Sequence, residues 1–434
     1  MSQGGERFQV IVAGAGIAGG AMALFLSHLD TDLTVLESRP RRPNTTEGGM
    51  IMLGPNGMNV LHGLGLSSKL RQRETGIQVS HITIRDGSGD LIGRVPQGSV
   101  ERHGSASTAL LRWDVHEVLL DALEEKRIDM RWNSRVESME ETDNSVLVRW
   151  SEAGETKEKR ADLLIGADGI WSTTRPSMYE RLGLAVTKPR YSGLVGIGFI
   201  LDIDSVPGLA SYLTLDQPIV MVHDHLGFVG MMLYDKKGKK VGWWTTHEAS
   251  ERSREEWEIP REQVFHELHE RYSTCVFPIP QLIQASEVSG GQPFIWPVYE
   301  VERLGRWNSR RTVLIGDAAH AMPPHSGQGA SQALEDAAHL AHLLRQYLQH
   351  RDSAADLQSV LDTFQKVRQP RVDEIVDEAN RRGNMKRETS RVGMFVRKWM
   401  MRIIFFFMTQ RWMDRWFAYK VPGIDDWETL CPGE

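Results

Sequence analysis

Six strand-forming residues, FQVIVA (Phe8 to Ala13), stop at Gly14 and give way to AMALFLSHL, whose apolar positions are those of a buried helix. A second apolar strand, LTVLE, ends on Glu37. Further on, ADLLIGADGIWSTTR repeats the move: a buried-strand run is closed by Gly166, Asp168 and Gly169, and a helix begins near Ser172. The strand RTVLIGD then runs into GDAAHAMPPHSGQGASQALEDA (Gly316 to Ala337), and a helix continues with Ala333, Leu334, Ala337, Ala338, Leu340, Ala341 and Leu344 on a broad apolar face. Strands that lead through glycine turns into helices predict an α/β domain.

Between Lys188 and Val301 the texture changes to short β-rich runs, YSGLVGIGFIL, PIVMV, LGFVGMMLY, KVGWWTT and PFIWPVY, which predict an antiparallel sheet in a second domain. The helical period of LLRWDVHEVLLDALEEK, with Val115, Val118, Leu119 and Leu123 inside, puts Arg112 at a helix start. SEAGETKEKR (Ser151 to Arg160) reads as a hairpin turn. The expected organisation is a discontinuous α/β domain over residues 1–187 and 302–385, an inserted sheet domain over 188–301, and a helical segment over 386–434.

Composition narrows the function. The 434 residues, 41% hydrophobic and 25% charged, suit a globular chain able to bury a large cofactor. A formal net charge of −6 argues against a nucleic-acid binder, whose phosphate contacts need a basic surface. Cys275 and Cys431 are the only cysteines and stand far apart without histidines at ligand spacing, so neither disulfides nor a metal site is expected. With no charged leader and apolar run at the amino terminus, the mature chain is expected to begin at Met1 and to be cytoplasmic.

The first turn carries candidate chemistry. Gly14 permits a tight turn, Gly16 lets a pyrophosphate reach the backbone, and Gly19 lets helix and strand pack closely; Ile17 and Ala18 complete the helix amino terminus that faces the phosphates. Glu37 follows Gly14 by 23 residues, where a carboxylate can accept from an adenosine ribose, and Ser38 and Arg39 adjoin it. These residues point to a cofactor containing ADP. Arg112 is placed to reach a phosphate.

GAGIAG, Arg112, the GADG element with Asp168, and GDAAH followed by Pro324 and GQG occur in one chain in the order found in single-component FAD-dependent monooxygenases of the aromatic-hydroxylase type, which this chain resembles over nearly its whole length. The resemblance is to the para-hydroxybenzoate hydroxylase-like family, and to fungal secondary-metabolite monooxygenases within it. It implies a Rossmann-like domain holding noncovalent FAD, transient reduction by NADPH or NADH, and transfer of one oxygen atom from O2 through a C4a-hydroperoxyflavin to an apolar or aromatic small molecule. It further implies that Asp317 bonds the ribityl chain, that Pro324 stiffens the turn, and that Gly327, Gln328, Gly329 and Ala330 bring backbone N–H groups to the flavin pyrimidine ring at a helix start, a seat for the negative charge of reduced flavin. Gly48 and Gly49 would pass beside the ring. An oxidase or dehydrogenase without oxygen insertion, or an epoxidase of the same family, is the alternative. A Baeyer–Villiger or N-oxidising enzyme would need a second glycine fingerprint and a halogenase a Trp-x-Trp-x-Ile-Pro element, and neither is found.

In such a family the second sheet forms a wall of the substrate cavity. Met50, Met52, Ile197, Met221 and Met231 are the expected apolar lining, with His223 as a polar contact. The first strand of that sheet lacks the arginine some subfamilies carry there, and Arg190 stands just before it; no catalytic acid or base is assigned, and His320 and His325 are read as structural. Finally, RVGMFVRKWMMRIIFFFMTQRWMDRWFAYK (Arg391 to Lys420) mixes cations with bulky apolar groups. Charge interrupts it too often for a spanning helix. Packing on the substrate domain is the expected role, with contact at a membrane surface the alternative.

Overall fold

The computed structural model describes residues 7–41, 49–186, 188–350 and 356–430. Its centre is a five-stranded, wholly parallel sheet in the order Thr312–Leu314, Leu163–Gly166, Phe8–Ala13, Thr31–Leu36, Asp129–Arg131. Phe8–Ala13 is buried on both faces, which is why its sequence is a continuous apolar run without alternation. The helices Ile17–Leu26 and Gly329–Gln349 pack on each other, the first also on this sheet, and their alanines and leucines join the larger core. The expected turn at Ser151 to Arg160 is a tight hairpin between Val146–Glu152 and Glu155–Ala161, with positive φ at both Ala153 and Gly154.

The second sheet has seven strands, in the order Phe294–Glu300, Arg190–Asp202, Lys240–Glu248, Gly227–Leu233, Ile219–Asp224, His81–Asp86, Leu91–Pro96. This differs from the expected insertion in two ways. Residues 81–96, counted with the first domain, add the last two strands, and Ile219–Asp224 pairs with His81–Asp86 in parallel rather than antiparallel. A pairing between segments more than a hundred residues apart leaves no local pattern. Helices Arg261–Tyr272 and Ile279–Ser289 cover one face of this sheet, where Trp243 donates to Ser286 at 2.9 Å and stacks on Phe199.

The opposite face turns toward the first domain. It is joined to it by Met50–Leu53, a short strand whose Met50 and Met52 pack on the second core while Ile51 packs on the first. After the 28-residue helix Leu357–Asn384, the carboxyl-terminal segment is helical as expected: Arg391–Phe407, Gln410–Phe417 and Ile424–Leu430. The last two fold back on the first domain, where Trp427 is fully buried against Phe25 and Phe417 lies beside Gly54.

Candidate functional site

The loops at the carboxyl ends of the parallel strands meet in one crevice, the usual ligand position of such sheets. Gly14 has φ +98°, and a Cβ there would strike the Ala167 carbonyl; one on Gly19 would strike the Gly14 carbonyl. Both glycines are therefore demanded by the protein's own packing. Gly16 differs: a Cβ there would meet nothing within 4 Å, so the structure leaves space above it, at the amino end of Ile17–Leu26. Ile17 and Ala18 are buried, and Ala18 touches the turn at Gly316.

Around this opening the expected residues take distinct places. Glu37 accepts from the Ala15 N–H at 2.7 Å and from the Arg39 N–H at 2.9 Å, so it braces the glycine turn from the next strand end; Ser38 and Arg39 are exposed beside it. The Arg112 N–H donates to the Gly49 carbonyl at 3.1 Å, which sets these two side by side at the rim; Gly49 also has open space where a Cβ would be. Gly48 lies outside the described residues. Asp168, the expected cofactor contact of the second glycine turn, is held within the protein. Its oxygens accept from Ser172 at 2.6 Å and from Thr173, Thr174 and the Thr174 hydroxyl at 2.9 Å, so it caps the helix Thr174–Arg181 and fixes the turn against Gly14.

Asp317 is exposed at the end of Thr312–Leu314, immediately after Gly316. Then comes the loop of Pro324–Ser326, one turn of 3-10 helix, and Gly327 at φ +67°, which hands over to Gly329–Gln349. Pro324 and Gly327 are exposed and Gly329 and Ala330 half-exposed; a Cβ on Gly327 would meet nothing, and one on Gly329 only Met322 at 3.9 Å. The helix start is thus an open concavity of backbone N–H groups, chemistry that favours an anion. Gln328 points the other way, its Oε1 accepting from Asn56 at 2.9 Å.

Behind this loop lies a buried ionic network that the sequence reading did not single out. Asp336 accepts from the Gly316 N–H at 2.9 Å, from His320 at 2.5 Å and from Arg368 at 2.8 Å. Glu335 pairs with Arg368 at 2.5 Å and Arg371 at 2.8 Å and accepts from Asn56 at 2.6 Å. Burial alone would raise the Asp336 carboxyl, but His320, Arg368 and the Gly316 N–H hold it down at about 2. Two adjacent carboxylates on an otherwise apolar helix were the available signal. His320, read from the sequence as structural, is buried within this network.

Facing the loop is the inner side of the second sheet. Met50 fills the space over Gly242, and Trp244 and Trp296 lie over Gly230 and Gly196, so glycines in three strands admit large side chains flat against the sheet. In register with them stand Met221, opposite Gly230, and His223, opposite Phe228. Of the expected lining, Met50, Met52, Met221 and His223 share this side. Ile197 and Met231 do not: Ile197 pairs with Thr245 and Met231 with Trp243, which places both on the helix-covered face. Strand alternation sends neighbours to opposite faces, and both faces here are apolar, so hydrophobicity could not choose between them.

Sequence reading also missed Lys386. It is buried after the long helix, its Nζ 3.9 Å from the centre of the Phe228 ring, and no ion pair joins it to a carboxylate among the described residues. Burial, with Arg382 nearby, lowers its ammonium to about 7. His223 and His325 are its neighbours. Burial first, then the charge of Lys386, lowers them to about 3 and about 2; His223 keeps one ring nitrogen, and His325 both, without a partner. One end of the apolar wall therefore holds a buried ammonium and three ring nitrogens without protein partners.

Comparison with known proteins agrees with this geometry. The family described as FAD binding domain matches residues 7–379. The 3-amino-4-hydroxybenzoate 2-monooxygenase of Streptomyces platensis is 30% identical over 384 residues, covering 87% of this chain and 88% of the relative. The FAD-dependent monooxygenase cle3 of Aspergillus versicolor is 27% identical over 408 residues, covering 86% and 76%. Among solved structures, HpxO of Klebsiella pneumoniae, crystallised with FAD and uric acid, superposes with a TM-score of 0.76 at 22% identity, covering 98% of this chain and 96% of that one, a likeness of fold.

Proposed function

The chain belongs to the FAD binding domain family of FAD-dependent monooxygenases, and from that premise we propose that it hydroxylates an aromatic or apolar small molecule in secondary metabolism, using NADPH or NADH and O2. The chemistry FAD supplies when bound is two-electron reduction by the nicotinamide and activation of O2, with one oxygen atom inserted into substrate and the other released as water.

The residues present fit that group. Open space above Gly16, Gly49, Gly327 and Gly329 is a cradle that added Cβ atoms would fill. In this reading the Gly14–Gly19 turn holds the pyrophosphate, Glu37 the adenosine ribose, Arg112 a phosphate and Asp317 the ribityl chain. The N–H groups at Gly327 to Ala330 stabilise negative charge on the reduced ring, and the network of Asp336, Glu335 and Arg368 keeps that loop in place. Met50, Met52, Met221, Trp244 and Trp296 exclude water from the reacting atoms, which limits loss of reducing equivalents as hydrogen peroxide.

The observation that carries the proposal is the open helix start at Gly327–Gly329 set beside a sheet face of methionine and tryptophan. Lys386, buried at one end of that face with no ion-pair partner among the described residues, favours a substrate bearing a carboxylate or phenolate, which would supply its counter-charge. The test is a screen of phenols and aromatic acids, indoles and polyketides for stimulated NAD(P)H oxidation by FAD-loaded protein. Stimulation with formation of a hydroxylated product is expected. Turnover with only hydrogen peroxide as product would favour an oxidase instead.

A further inference from the structure

The helix Arg391–Phe407 buries a single residue, Met401, and its inner side rests on the second sheet through Phe405 over Gly93 and Lys398 between Asp86 and Asp90. Its outer side is left bare. Val392, Phe395, Val396, Trp399, Met400, Ile403, Phe406 and Phe407 are between 47% and 83% exposed. Their spacing puts them on one stripe along the whole helix. Eight large apolar side chains bare along one helix face form the kind of contiguous patch that marks an interaction surface.

Charge decides what covers it. Residues 391–420 contain seven Lys and Arg and one Asp, a formal +6, in a chain whose total is −6. Arg391, Arg411 and Arg415 are exposed in this segment. A second copy docking face to face would set these cations against their own counterparts, whereas anionic lipid headgroups would neutralise them while the acyl boundary takes up the aromatic side chains. Among the described residues no helix is long and apolar enough to cross a membrane. We infer that Arg391–Phe407 is an interfacial helix that docks the protein on an anionic bilayer surface.

The consequence is positional. Arg397, on the inner side of the same helix, donates to the carbonyls of Met385 and Arg387, the segment that carries Lys386 to the inner sheet face. A docked helix holds the wall of the proposed substrate chamber about 10–12 Å, one helix diameter, from lipid.

The test uses the full FAD-loaded chain in vesicle flotation, comparing phosphatidylcholine alone with phosphatidylcholine containing phosphatidylserine. Flotation with the anionic vesicles only, weakened by salt, is expected. The double variant Phe406→Ser, Phe407→Ser should lose at least about tenfold in partitioning with unchanged FAD content, and Arg391→Gln, Arg411→Gln should lose the dependence on phosphatidylserine. Equal binding to neutral vesicles, unaltered binding by both variants, or a stable dimer in solution that the double serine variant dissociates would overturn the inference.

Discussion

Gly16 and Gly19 stand three residues apart and are required by different things. A Cβ on Gly19 runs into the Gly14 carbonyl, so Gly19→Ala should lower the melting temperature of the protein stripped of cofactor. A Cβ on Gly16 meets no protein atom within 4 Å, so Gly16→Ala should keep that melting temperature and weaken FAD binding by about tenfold, roughly 1.4 kcal/mol. Calorimetry of the apoprotein together with FAD titration separates the two, and an unaltered FAD affinity in Gly16→Ala would remove the pyrophosphate from that space. Lys386 admits a similar contrast. With flavin absorbance as the readout, an aromatic acid such as 3-hydroxybenzoate should bind wild type at least about tenfold more tightly than its carboxamide, a charged hydrogen bond being worth roughly 1.5–3 kcal/mol. Lys386→Met should erase the preference while retaining FAD.

At the scale of elements, the loop from Gly316 to Ala330 is held from behind by ions. Arg368→Met would leave Glu335 and Asp336 buried beside an apolar chain, and removing one partner of a buried pair costs about 3–5 kcal/mol. The variant is expected to unfold at clearly lower denaturant and to lose FAD. Arg368→Lys, which keeps the charge but not the fork, should recover only part of the stability, measured by urea titration. What the sequence reveals of these elements follows from range. The glycine turns, strand-to-helix alternation and the 153–154 hairpin are local, and each was legible. The inner face of the second sheet was not, because period-two alternation names two faces without saying which one meets the first domain. Hydrophobicity thus points to Ile197, whereas Gly196 and Gly198, under Trp296, are the meaningful positions. Strand glycines were the better signal. Lys386 and the Arg368 network depend on a long helix crossing back behind the loop, which no spacing in the chain records.

For the molecule as a whole, the buried histidines set a pH limit. His223 and His325 are held neutral down to about 3 and about 2, whereas in the unfolded chain they protonate near 6.5. Below pH 6.5 the unfolded state binds more protons, so stability falls as the pH drops, by up to about 1.4 kcal/mol per pH unit for each ring. Lys386, with its depressed value of about 7, adds to the decline only near pH 7, since well below that both states are protonated. Urea unfolding of the apoprotein between pH 7 and 4 should show the decline, and His325→Leu should flatten it; a slope unchanged by that substitution would mean the ring is protonated in the fold.

The fate of oxygen decides between insertion and mere oxidation at this site. With FAD-loaded protein, NADPH and a substrate found by the oxidation screen, the reaction run under 18O2 in ordinary water should give a product carrying one 18O atom. Product whose added oxygen comes from water, or NADPH consumed entirely to hydrogen peroxide with substrate unaltered, would contradict a monooxygenase.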